Sequence, residues 1–87
     1  MELKVSSKSD PKLVAGSIVG FLNDGKDVNI IGVGAGALNQ AIKAITIARS
    51  FTITSAVDLL ISPSFKTIEV DGREFSAINL KIVKQER

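Results

Sequence analysis

The chain has no cysteine and no histidine, no tryptophan or tyrosine, and only two prolines in 87 residues. Without cysteine or histidine there are no disulfides, thiolate nucleophiles, imidazole bases or usual zinc ligands. Four phenylalanines are the only aromatic residues, so platforms for stacking nucleobases are few. No apolar run approaches the roughly 18 residues of a membrane span, and the opening "MELKVSSKSD" lacks a signal-peptide core. The expectations are a cytoplasmic location, no membrane partner and no metal.

What is present is a globular composition, 45% hydrophobic and 23% charged, without repeats, linkers or low-complexity segments. It reads as a single domain over residues 1–87. A chain of this size buries only about 60 to 65% of its unfolded surface, so a partner subunit would help it. Eleven Lys and Arg against nine Asp and Glu give a net charge of +2, a slight lean toward anionic partners.

Residues 2–6 alternate polar and apolar and predict a half-buried strand. Asp10 then stands as a helix N-cap with Pro11 in the first helical position, where its missing N–H costs nothing. Leu13, Val14, Ile18, Phe21 and Leu22 fall on one face, and Gly25 supplies a left-handed stop. Gly16 and Gly20 inside this helix point to another backbone packed closely against it, most simply one within the subunit. "DVNIIGV" predicts a central strand.

Residues 37–51 predict a second helix with a wide apolar arc of Ala37, Leu38, Ala41, Ile42, Ala44, Ile45, Ile47, Ala48 and Phe51. Its polar stripe is Asn39, Lys43, Thr46 and Ser50, with Gln40 and Arg49 at the margins. An arc this wide implies contact with a sheet on one side and with the first helix or another subunit on the other. "VDLLIS" and "FKTIEV" form a third strand that Pro63 confines to an edge or a bulge near residues 62–64. Asp71-Gly72 is a hairpin turn, and residues 73–84 return as the last strand with Ile78, Leu80 and Ile82 on one face. The order is β-α-β-α-β-β. Right-handed crossovers place both helices on one face of a four-stranded mixed sheet, a two-layer α+β fold.

The stretch "IIGVGAGALNQAIKAI" raises the question of a cofactor. Gly32, Gly34 and Ala37 match the spacing of dinucleotide-binding loops. The acidic residue that would hold a ribose is missing from the end of the next strand, since Asp58 stands at its start. The glycines are better read as a sharp strand-to-helix turn, and no cofactor is expected. No Ser, Thr, Asp or Asn is placed to cap the second helix, so its first N–H groups are open to a phosphate, a water or a neighbouring subunit.

"GAGALNQAIKAITIAR", residues 34–49, resembles the signature of the stage V sporulation protein S family, and the flanks "LKVSSKSDPKLVAGSIVGFL" and "VDLLISPSF" resemble it too. That family is related to the Alba proteins of chromatin and RNA, which share the β-α-β-α-β-β order and usually form dimers. The Alba likeness concentrates in residues 28–51. It implies an Alba-like fold and nucleic-acid binding through a lysine pair after the first strand, the turn and start of helix two, and the hairpin arm. Lys8 stands at the lysine pair, Arg73 on the arm and Lys66 on the strand leading into it. The Arg-Gly-Arg of the Alba turn is Gly34-Ala35-Gly36 here, and the helix lysine is Gln40. The positive patch is therefore thinned, and binding should be weaker and less salt-dependent.

The resemblance implies a regulatory protein of bacterial sporulation or cell development, a homodimer or homotetramer that contacts DNA or RNA backbone. The residues assigned to that contact are Lys8, Lys12, Gly34, Gly36, Asn39, Gln40, Lys43, Arg49, Lys66 and Arg73. The alternative is an oligomerising protein-interaction module on the same scaffold with little nucleic-acid affinity. No paired acid and base can be nominated, so neither catalysis nor a small-molecule substrate is expected.

Overall fold

A computed structural model describes residues 1–87. The chain forms β1 (Glu2–Val5), α1 (Pro11–Asn23), β2 (Val28–Gly32), α2 (Ala35–Thr52), a short 3-10 turn (Ile53–Ser55), β3 (Val57–Val70) and β4 (Arg73–Glu86). The sheet order is β1-β2-β4-β3, with β1 parallel to β2 and the other pairs antiparallel. The architecture is the expected α+β one, a mixed four-stranded sheet with two helices.

The caps explain where α1 begins and ends. The Asp10 carboxylate accepts from the Lys12 N–H at 2.9 Å. At the other end Gly25, at φ +74°, donates to the Leu22 carbonyl while Lys26 donates to that of Phe21. This paired arrangement closes a helix and turns the chain toward the sheet. The second helix begins two residues earlier than its apolar pattern predicts, because Gly34 at φ +87° serves as its N-cap.

Both helices pack on one face of the sheet. Val5, Val28, Ile30, Leu59, Leu80 and Ile82 of the strands form one core with Ala15, Ile18 and Leu22 of α1 and Ala41, Ala44, Ile45 and Ala48 of α2. The buried alanines keep α2 thin where α1 and the sheet approach it. At its first turn the fit is tight, since a methyl group on Gly32 would lie 3.2 Å from the Ala37 Cβ.

Two expectations about α1 are corrected. Leu13 does not join the core and is 73% exposed, because Ala15, two positions on, takes the inward place. Gly16 and Gly20 have no atom within 4 Å of where a Cβ would stand, so no backbone of this chain packs against them. Nothing in the structure explains these two glycines.

Pro63 lies in an edge strand with no bulge. The register of β3 against β4 runs unbroken from Val57↔Glu86 to Val70↔Arg73, with Pro63 opposite Leu80. A proline is tolerated there because the outer side of an edge strand has no ladder partner. Asp71 at φ 52° and Gly72 at φ 77° close the hairpin in a two-residue turn whose twist matches its strands.

No helix covers the opposite sheet face, yet Ile31 and Ala77 are buried on it. Over this face the Lys66 ammonium of β3 donates to the Glu2 carboxylate of β1, and Asn79 Nδ2 donates to Asn29 Oδ1 at 3.0 Å. The lysine stem and the paired amides shield the apolar atoms beneath.

Candidate functional site

β1 and β2 both stop at the row that joins Val5, Gly32, Ile78 and Phe65, and the β3–β4 hairpin runs on beyond it as an arm. From Ile78 to Arg73 the arm reaches about 17 Å further, at about 3.3 Å per residue. The molecule is elongated accordingly, 43 × 20 × 19 Å. The loop after β1 and the start of α2 occupy this same end.

The loop is held in shape by its serines. Ser9 donates its N–H to the Ser6 carbonyl at 3.1 Å, Ser6 N–H donates to Ser9 Oγ at 2.9 Å, and Lys8 N–H donates to Ser6 Oγ at 3.2 Å. Gln40 Nε2 then donates to the Ser9 carbonyl at 2.9 Å and fastens the loop to α2. Ser7 lies directly over Gly36. Gly36 and Gln40 therefore position the loop that carries Lys8.

The start of α2 has no side-chain cap. Leu38 N–H reaches back to the Gly34 carbonyl, and no hydrogen bond of the protein uses the N–H groups of Ala35, Gly36 or Ala37. These donors and the positive end of the helix dipole suit an anion. Asn39 is exposed one turn further along. Lys12 and Lys43, one from each helix, line a single open depression of about 370 Å³ together with Asp10 and Thr46.

The ten sequence-assigned residues thus fall into three groups. Lys8, Gly34, Gly36, Asn39 and Gln40 gather at the loop and helix start, with Lys12 and Lys43 on the flank of the helix pair. Arg73 stands ahead of them at the tip of the arm. Arg49 and Lys66 have carboxylate partners inside the chain, and Lys66 is already taken by Glu2.

Arg49 belongs to an ion cluster that sequence reasoning missed. Arg49 Nε donates to Asp58 Oδ1 at 2.5 Å and Arg87 donates to Oδ2 at 2.5 Å, while the Leu59 N–H adds a third bond at 2.8 Å. The Asp58 side chain is only 5% exposed. The Arg49 hydrogen bond, opposed by the partial loss of water, holds its carboxyl down at about 2, and the same bond raises Arg49. The signal available beforehand was an acidic residue in an apolar strand, which needs a cation, nine residues after an arginine. Elsewhere Glu2 is lowered by its bond to Lys66. No three His, Cys, Asp or Glu side chains come together as a metal site.

These features define a small two-layer α+β domain, strand-helix twice and then a long hairpin, with a basic loop-and-helix end and an ion cluster remote from it. The family model of stage V sporulation protein S matches residues 1–85, and the chain belongs to that family. It is a sporulation-related protein. No helix is long and apolar enough to cross a membrane.

Proposed function

We propose that this chain is a cytoplasmic regulatory protein that binds the sugar-phosphate backbone of DNA or RNA as a homodimer or homotetramer, without catalysis. The observation that carries the reading is a helix start whose first N–H groups have no acceptor in the protein, beside the loop that carries Lys8 and is fastened to α2 by Gln40, with Lys12 and Lys43 flanking it further along the helix pair. Phosphate contacts of this kind position a nucleic acid without reading its sequence. The resemblance to Alba proteins supports the same end of the molecule, with Arg73 reaching a further phosphate. Arg49 and Lys66 act in this reading through the scaffold, since their charges face Asp58 and Glu2.

A second reading, assembly as the main role, is favoured by Phe65, which is 82% exposed on β3. Ile42 of α2 is also exposed.

The test is binding of the purified protein to labelled duplex DNA and to single-stranded RNA between about 50 and 200 mM salt. Micromolar binding that weakens with salt, and that Lys8→Glu weakens further, is expected. Absence of binding to either at 50 mM would overturn the first reading and leave the second.

A further inference from the structure

The free edge of β1 carries a pattern that the nucleic-acid reading does not use. Asn29 N–H donates to the Met1 carbonyl at 2.8 Å, so Met1 turns its backbone groups toward β2. Backbone groups alternate along a strand, which turns Leu3 and Val5 inward and leaves the N–H and C=O of Glu2 and Lys4 pointing out from the sheet. The side chains alternate in the other sense. Leu3 and Val5 lie on the helix side, and Glu2 and Lys4 on the face without helices.

An exposed strand edge is a template for another strand. We propose that β1 pairs with β1 of a second copy of this chain, antiparallel, about a two-fold axis at Leu3. Three symmetric registers keep like faces together, centred on residue 2, 3 or 4. Centring on residue 2 sets Glu2 against itself, and centring on residue 4 sets Lys4 against itself. Only the register centred on Leu3 sets each Glu2, whose carboxylate already accepts from Lys66 of its own chain, opposite the second copy's Lys4, so that the carboxylate lies between two cations. In it Glu2 and Lys4, the residues with outward backbone groups, become the hydrogen-bonded pairs, and Leu3 meets Leu3 in the closer, non-hydrogen-bonded pair between them. Four backbone hydrogen bonds and two cross-strand ion pairs result.

The helix layer fits the same axis. Two strands occupy about 9.6 Å across a sheet, the spacing of packed helices, so two helices ride on four strands. Here α2 runs from the loop after β1, where Ser7 lies over Gly36, to β3, which it meets through Arg49 and Asp58, while Leu13, Val14 and Ser17 of α1 border β1. Joining two β1 edges therefore sets α1 beside the α1 of the second copy. An open groove of about 160 Å³ lined by Leu3, Lys4, Val5, Leu13, Val14 and Ser17 lies between α1 and this edge strand. Leu13, the most exposed aliphatic side chain, stands at its rim. The product is an eight-stranded sheet with four helices on one face, joined at the edge opposite the one that carries Phe65.

The test uses two charge variants. Glu2→Lys makes the edge all positive and Lys4→Glu makes it all negative. Folded by circular dichroism, each alone should weaken self-association at this edge at least tenfold in sedimentation, and an equimolar mixture should restore the parent mass. Because the chain has no cysteine, Leu3→Cys supplies a second readout. It should form a disulfide-linked dimer at least tenfold faster than Glu74→Cys on the arm, as the close pair geometry allows. Charge variants that assemble like the parent, a mixture that stays apart, or slow linkage at position 3 would each overturn the proposal. None of these readouts depends on nucleic acid.

Discussion

Ser7 sits so close over Gly36 that a methyl group added to the glycine would lie 2.8 Å from the serine Cβ. One of the two must move. In an open helix a glycine-to-alanine change stabilises by about 1 kcal/mol. Here Gly36→Ala should instead lower the melting temperature and displace the loop that carries Lys8. If the lysine contacts phosphate, nucleic-acid binding falls with it; thermal melts and the same titration check both outcomes.

The opposite result is expected in α1. Gly16→Ala and Gly20→Ala meet open space. Each should stabilise the subunit by about 1 kcal/mol, raising the melting temperature about 4 to 8 °C in a domain this small. A fall at either position would show that another molecule occupies that face.

Acid should act through Asp58. Its folded carboxyl titrates at about 2, below its ordinary 3.8. The stabilisation is therefore complete above the ordinary value and is lost as the pH falls from about 4 toward about 2. Asp58→Asn should lower the urea midpoint at pH 7, leave it near the parent value at pH 2, and flatten the profile between them. A parallel drop at every pH would assign the loss to packing.

Lys43 and Arg49 lie on one helix and should behave differently. Lys43→Ala should leave the melt unchanged and reduce the salt slope of duplex binding by about 0.9, the share of one phosphate. Arg49→Ala should lower stability by freeing Asp58 while leaving the slope alone. Equal slopes for both variants would place the contact elsewhere.

Phe65 offers the cleanest check on the assembly reading. A residue 82% exposed ordinarily changes stability by less than about 0.5 kcal/mol when replaced. Phe65→Ser should melt like the parent and sediment at lower mass. An unchanged mass would remove this residue from any interface.

The local signals in the sequence carried the fold. Asp10 with Pro11 and Gly25 bound α1, Asp71-Gly72 made the hairpin, and Pro63 marked an edge, because each acts through neighbours in the chain. What escaped depends on contacts across the chain. Leu13 and Ala15 are both apolar, and only the helix's final rotation on the sheet decided which was buried. Lys66 and Glu2 lie 64 positions apart, and their pairing follows from a sheet order the sequence did not state. The same holds for the site. Lys8, Gly36 and Gln40 were legible through resemblance, but the role of Gln40 as a fastener for the loop emerges only from its bond to Ser9.

The position of β4 has a consequence for synthesis. It follows every other strand in the chain and yet lies inside the sheet, between β2 and β3. When β2 leaves the ribosome its antiparallel neighbour is still 41 residues from starting, about 2 to 8 s away at ordinary elongation rates. Until then Val28, Ile30 and Ile31 have no strand to cover one flank. A nascent chain halted before Arg73 should hold two helices and no stable sheet, and be the form a chaperone or protease meets.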